Sequence, residues 1–277
     1  MDAIRLVLPA LGVLLCLVGC AFGALALYQR HLIYPRAYDG RPPAADRTLP
    51  GASIVSIGTA DGEALFAFWN PPAPGCGVVL SFHGNGSLPE GQTVRFLSEP
   101  WRSRGWGVLA PAYRGYPGST GSPSEDGLVL DGAAALRFVE KMAPDAPILL
   151  HGHSLGAAVA ISVAESGRHL GLYLEAPFDS LLHLVRLRFP YLPTLFLRDT
   201  WRSDRRIAAN AAPVFIVHGD DDPVIPTKLA SALATAAGPA ARFEVLPGDH
   251  VSILGARDAQ AEAQFRSTRA CEIASVP

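Results

Sequence analysis

The sequence predicts an α/β fold in which helices cover both faces of a mostly parallel central sheet. Three observations carry that expectation. Short runs of Val, Ile and Leu recur along the chain without the alternation of a half-exposed strand. Helical patterns separate those runs. After residue 30 the 277-residue chain has no second shift in composition, no repeat and no low-complexity run, so one domain accounts for residues 31–277.

The elements follow in order. Ser53–Ile57 and Glu63–Trp69 flank Thr59-Ala60-Asp61-Gly62, which reads as a hairpin turn. Buried strands are expected at Gly77–Phe82, Gly107–Ala110, Ile148–His151, Leu172–Glu175, Val214–His218 and Arg242–Leu246. The clearest helix opens at Ser122-Pro123-Ser124-Glu125, read as a capping box with Ser122 as N-cap, Pro123 at N1 and Glu125 at N3. It runs to about Met142, with Leu128, Leu136 and Val139 facing the core.

Composition excludes two classes. Lys and Arg total 23 against 25 Asp and Glu, a net charge of -2, which argues against a nucleic-acid partner. With 49% hydrophobic residues and little net charge, the chain is not disordered. Lys141 and Lys228 are the only lysines, and Ala, Gly and Pro are abundant, a usage typical of a GC-rich bacterial genome. Cys16 and Cys20 lie in the N-terminal apolar run, and Cys76 and Cys271 are far apart. Neither a metal-type spacing nor a small-protein disulfide framework results.

Leu6–Leu27 is uncharged throughout, and as a helix at ~1.5 Å per residue it spans ~33 Å, enough for a hydrocarbon core. Residues 1–30 are therefore read as a single-pass membrane anchor, with the bacterial inner membrane as the expected location. A secretory signal would have a shorter apolar core. Leu17-Val18-Gly19-Cys20 resembles a lipoprotein cleavage box, which would leave Cys20 lipidated, but the run stays apolar to Leu27 where a polar tether is expected. Arg30, Arg36, Arg41 and Arg47 follow the segment, so the positive-inside rule leans towards a cytoplasmic body, a bias that a folded domain can override.

Gly152-His153-Ser154-Leu155-Gly156 stands between the strand ending at His151 and the helical run beginning at Ala157. This is G-x-S-x-G in the strand–turn–helix setting of a nucleophile elbow, where close approach of strand and helix demands glycine-sized neighbours. Ser154 is the expected nucleophile. In this arrangement the acid and then the histidine follow the serine along the chain. His218-Gly219-Asp220-Asp221-Asp222-Pro223-Val224-Ile225-Pro226 supplies an acidic loop at a strand end, and Asp222 is chosen as the acid. Asp220 and Asp221 read as turn and capping residues, and Asp179 is the alternative acid. His250 is then the one histidine left downstream and becomes the base, while Asp249 shapes its loop and His218 is a structural turn residue. His83-Gly84-Asn85-Gly86 closes an earlier strand. The backbone N–H groups of Asn85 and Leu155 are assigned to the oxyanion hole.

With these residues in place the chain resembles the α/β-hydrolase superfamily, specifically its small membrane-anchored branch. Leu32-Ile33-Tyr34-Pro35, Ala112-Tyr113-Arg114-Gly115-Tyr116 and Gly118–Glu125 extend the resemblance beyond the motifs above. The resemblance implies an α/β-hydrolase fold with a short cap after the sixth strand, near residues 179–207. It also implies hydrolysis of esters or thioesters through an acyl-enzyme, with no cofactor and no metal. Some relatives remove palmitate from proteins, but this chain lacks their cysteine-rich N-terminus. The expected partners are an acyl ester or thioester, lipids included, and the membrane. Peptidase or other small-molecule hydrolase chemistry on the same residues is the alternative, and a non-catalytic scaffold a third.

Overall fold

The computed structural model describes residues 2–39, 48–165, 168–266 and 271. Eight strands form one sheet: β1 (Ser53–Gly58), β2 (Ala64–Asn70), β3 (Val78–Phe82), β4 (Gly107–Pro111), β5 (Ile148–His153), β6 (Gly171–Glu175), β7 (Val214–Gly219) and β8 (Ala241–Leu246). Each expected strand is present, with ends shifted by one or two residues, but β8 is not the buried strand expected: it closes the sheet edge, pairs only with β7 and buries only Leu246. The order is β1-β2-β4-β3-β5-β6-β7-β8. The hairpin β1–β2 and the pair β2–β4 are antiparallel, and every pair from β4 to β8 is parallel.

The helices are α1 (Asp2–Ile33), α2 (Pro89–Phe96), α3 (Glu125–Met142), α4 (Leu155–Ala164), α5 (Leu181–Arg188), α6 (Ser203–Ile207), α7 (Thr227–Ala237) and α8 (Asp258–Phe265). Successive strand residues serve opposite faces. Leu80, Phe82, Leu150, Leu174 and Ile216 pack with Leu128 and Val139 of α3, Val159 of α4 and Leu229 of α7. Their neighbours Val79, Leu149, Tyr173, Phe215 and Val217 pack with Phe96, Trp101, Ala261 and Phe265 on the other side. With both faces covered, the central strands have no solvent side, which is why their sequences are uninterrupted apolar runs.

One boundary differs from the sequence reading. Ser124, not Ser122, caps α3, its Oγ accepting from Gly127 N at 3.1 Å. Glu125 is thus the first helical residue and its carboxylate does not fold back on the cap. It instead accepts Thr200 N at 2.7 Å and Trp201 N at 2.8 Å, holding the segment between β6 and β7. A polar partner across the fold displaced the local capping bond.

That segment carries α5, a short turn at Thr194–Phe196, and α6. Ser180 caps α5 through a bond from His183 N, and α5 buries none of its residues fully. At the other end of the chain, α1 runs unbroken through Ile33, and the stretch Cys16–Ile33 has a mean hydropathy of 1.3, long and apolar enough to cross a membrane.

Cys76 and Cys271 are joined by a disulfide with Cα atoms 4.5 Å apart across 195 residues of sequence. The bond ties Cys76, two residues before β3, to Cys271, a closure visible only once the chain has folded. Cross-links of this kind act largely on the unfolded ensemble. Loss of the bond is expected to lower stability by about 2–4 kcal/mol, seen as a lower thermal midpoint of Cys76→Ser in non-reducing buffer, or of the parent when reductant is added. An unchanged midpoint would show that the bond does not form.

Candidate active site

Ser154 sits at the tip of the β5–α4 turn with φ 55° and ψ −120°, a backbone conformation that non-glycine residues seldom adopt. The flanking glycines allow it. A Cβ on Gly152 would lie 2.3 Å from Gly156 O, and one on Gly156 would lie 2.1 Å from Phe82 O. Ser154 N donates to Glu175 O at 2.9 Å, fastening the turn to β6. α4 begins immediately after, buried over its whole length, so its N-terminus lies behind Ser154, with Ala157 N donating to Ser154 O at 3.0 Å as the first bond of the turn.

The loops after β7 and β8 bring Asp222 and His250 together. His250 Nδ1 donates to Asp222 Oδ2 at 2.7 Å. A carboxylate can only accept here, so the imidazole proton sits on Nδ1 and the Nε2 lone pair is left available. Asp222 Oδ1 accepts Val224 N and Ile225 N, each at 2.8 Å. His218, fully buried, gives its Nε2 proton to Ile225 O at 2.8 Å and lies 3.3 Å from Asp222 Oδ2. Burial opposes charge on Asp222, yet the bonds from His218, His250 and Ile225 N outweigh it and hold the carboxyl well below the usual carboxylate range. Asp179 faces a different partner, accepting from His183 Nδ1 at 2.6 Å.

His250 is fixed next to the elbow through His153, whose ring lies 4.9 Å from that of His250 and whose Nε2 donates to His250 O at 3.0 Å. Among the described residues Ser154 Oγ forms no side-chain hydrogen bond. Contacts between nucleophile and base often close only when substrate binds.

Asn85 lies in the loop after β3, and that loop is pinned at three points. Tyr113 OH donates to His83 O at 2.6 Å, Tyr116 OH to Asn85 O at 2.9 Å, and Arg36 Nε to Gly86 O at 2.8 Å. With its carbonyl occupied and its side chain bonded to Ile33 O at 3.1 Å, Asn85 keeps a fixed orientation. The roles of Tyr113, Tyr116, His153 and His218 escaped the sequence reading. The signal for the tyrosines was their place directly after β4, at the sheet edge where β3 and β5 also end.

A buried charge network supports this edge from below. Arg95 contacts both oxygens of Glu175 at 2.5 and 3.1 Å and also pairs with Asp258. His151 Nε2 donates to Glu175 Oε2 at 2.9 Å and its Nδ1 accepts from Ser81 Oγ at 2.8 Å. Burial disfavours the Glu175 charge, but Arg95 and His151 reverse the balance and keep it ionised. Glu175 is the same residue whose carbonyl holds Ser154 N, so the ion pair braces the Ser154 turn.

Above Ser154 opens a cavity of about 460 Å³, within the usual range for a small-molecule pocket, about 300–1,000 Å³. Ser154, Asn85 and Leu155 form its floor, and the walls come from α1, the segment between β6 and β7, and the Val224–Ile225 turn. Among the described residues no group of three His, Cys, Asp or Glu side chains gathers into a metal site.

Residues 78–212, from β3 to the residue before Pro213, match the model of the alpha/beta hydrolase family. A protein of Mycobacterium tuberculosis carrying no assigned activity is 35% identical over 224 residues, covering 79% of each chain. The chain belongs to the alpha/beta hydrolase family. Lysophosphatidylserine lipase ABHD12 of Xenopus tropicalis is 31% identical over 185 residues, which cover 59% of this chain and 47% of that protein. An esterase of Pyrococcus furiosus shares the fold at a TM-score of 0.66 and 19% identity, over 81% of this chain and 96% of the esterase. Hydrolase activity with ester- and lipid-cleaving relatives is what these comparisons support.

Burial lowers the His153 pKa to about 4, helped by the closeness of the His250 ring, which disfavours a second positive charge beside it. The unfolded chain, with an ordinary histidine pKa near 6.5, binds the extra proton first, so the stabilisation is complete above about pH 6.5 and is lost as pH falls towards 4. The thermal midpoint of the parent is therefore expected to drop between pH 7 and pH 4.5, and the drop should be smaller in His153→Gln. Identical pH slopes for the two proteins would contradict the assignment.

Proposed function

We propose that the protein is a membrane-tethered serine hydrolase cleaving carboxylic esters or thioesters through an acyl-enzyme. The observation that carries this reading is the Asp222–His250 pair, with its proton on Nδ1, held beside a serine in the nucleophile-elbow conformation. Ser154 Oγ attacks the acyl carbonyl while His250 Nε2 takes its proton. Asp222 accepts from Nδ1 throughout and stabilises the imidazolium. The Asn85 and Leu155 N–H groups receive the oxyanion, and His250 then returns the proton to the departing alcohol or thiol. Water, activated by His250 in turn, attacks the acyl-Ser154 carbonyl and releases the acid. Loss of one oxyanion donor would cost about a hundredfold or more in rate.

The apolar cavity over Ser154 and the similarity to the lysophosphatidylserine lipase ABHD12 both favour acyl esters of lipid character over peptides. The apolar α1 supports a single-pass anchor in the bacterial inner membrane, with residues 31–277 as the hydrolase domain and the 179–207 segment as its cap. The Cys76–Cys271 disulfide further supports a body on the oxidising, outer side of that membrane, against the arginine bias of the sequence.

A fluorophosphonate probe on the full chain in detergent, with site mapping by mass spectrometry, tests the reading. Labelling is expected at Ser154 and lost in Ser154→Ala and His250→Ala, with p-nitrophenyl esters hydrolysed by the parent alone. Folded protein that takes up no probe would move the scaffold reading to first place.

A further inference from the structure

The helix that reads as a membrane anchor is also a wall of the cavity above Ser154. Phe22, Leu25, Ala26, Gln29, Leu32 and Ile33 line it, spaced three or four apart as one stripe of an α-helix. Leu17, Val18 and Leu27 of the same helix are exposed, Leu27 by 70%. One helix thus presents one apolar face to the candidate active site and others outward, where only a bilayer would match them. The stripe from Phe22 to Ile33 runs about 16 Å along the axis, long enough to accompany an extended acyl chain away from Ser154.

This packing is fastened, not incidental. Gln29 is a buried polar residue in an apolar helix, and its amide is satisfied across the cavity mouth: Nε2 donates to Phe196 O at 3.1 Å and Oε1 accepts Arg198 N at 2.8 Å. Arg30 makes a two-pronged pair with the buried Asp199 at 3.1 and 3.2 Å. The last carbonyl of α1, Ile33 O, accepts from the side chain of Asn85, the residue assigned to the oxyanion hole. A mere tether would need none of these bonds. Beside α1 the facing segment leaves Phe189, Tyr191 and Leu195 exposed, Tyr191 by 95%, so the apolar surface continues from the helix across the cavity rim.

We propose that α1 is part of the acyl-binding site, and that the acyl chain of a bilayer-resident acyl ester reaches Ser154 from the membrane between α1 and the segment carrying α5. The proposal rests on the acyl-hydrolase reading above. It makes Ala26 a specificity-determining position, since a large side chain there would fill the path of the chain, whereas Leu27 points away from it.

The test uses the full chain in phosphatidylcholine vesicles. The substrates are p-nitrophenyl acetate and p-nitrophenyl palmitate, with palmitoyl lysophosphatidylcholine supplied in the same vesicles. Ala26→Trp is expected to lower the palmitate-to-acetate ratio of kcat/KM by at least about tenfold and to cut lysolipid hydrolysis, while Leu27→Trp keeps the parental ratio. A second measurement avoids dependence on variants: a long-chain alkyl fluorophosphonate with a terminal diazirine is attached to the parent and irradiated. Cross-links are expected on the Phe22–Gln29 stretch of α1. Cross-links confined to other elements, an unchanged ratio in Ala26→Trp, or equal losses in Ala26→Trp and Leu27→Trp would each overturn the proposal. So would lysolipid hydrolysis that is faster from dilute solution than from vesicles, which would make the substrate a soluble one. A parent that takes up no probe and hydrolyses neither ester overturns the hydrolase reading itself, and this proposal with it.

Discussion

Two missing side chains set the geometry on which the candidate site depends. Gly152 and Gly156 let the backbone of β5 turn into α4 in direct contact with the end of β3, an approach that any Cβ would block by an ångström or more. The contact places Ser154 in a left-handed conformation above the sheet edge. It also brings the loop carrying Asn85 close, since Gly156 packs on Phe82 and His83 and Gly84 packs on His153 and Ser154. Strain of this kind persists only where neighbouring structure over-determines it. Here the Ser154–Glu175 backbone bond and the buried Arg95–Glu175–His151 cluster supply that support. Removing one partner of such a cluster leaves a buried charge unpaired, at a cost of about 3–5 kcal/mol.

The other side of the cavity is built on a different principle. Its walls are apolar and partly exposed, and a few polar anchors define their positions. Glu125 holds Thr200 and Trp201, Asp199 joins Arg30 to the start of α3, and Gln29 closes the gap to residues 196–198. The braced sheet edge around Ser154 and the apolar mouth are therefore separate parts with separate tolerances. Changes in the mouth can alter which chain is accepted while the geometry around Ser154 persists.

Much of this was legible in the sequence because it rests on local rules. Apolar runs located the central strands, since strands buried on both faces have no polar period to disguise them, and the Thr59–Gly62 turn located the β1–β2 hairpin. G-x-S-x-G named Ser154 because steric contact at the turn restricts its neighbours to glycine. Order along the chain singled out Asp222 and His250, and the structure brings those two side chains together. What stayed hidden is non-local. Glu125 read as a capping-box residue, but its partners lie some seventy-five residues away. The Cys76–Cys271 bond, the Arg95–Glu175 pair and the docking of Gln29 and Arg30 all join segments that no spacing rule connects. Residues 1–30 read as an anchor from hydropathy alone, and hydropathy cannot tell that a stripe of that helix turns inward.

The claim beneath the whole account is that acyl transfer proceeds through Ser154. The most direct measurement is rapid-quench mass spectrometry of the full chain during turnover of a p-nitrophenyl ester. The account predicts an adduct of one acyl group on the peptide containing Ser154, formed in step with the first burst of nitrophenol and decaying as hydrolysis continues. Nitrophenol release with no adduct, or with the acyl group on another residue, would contradict it.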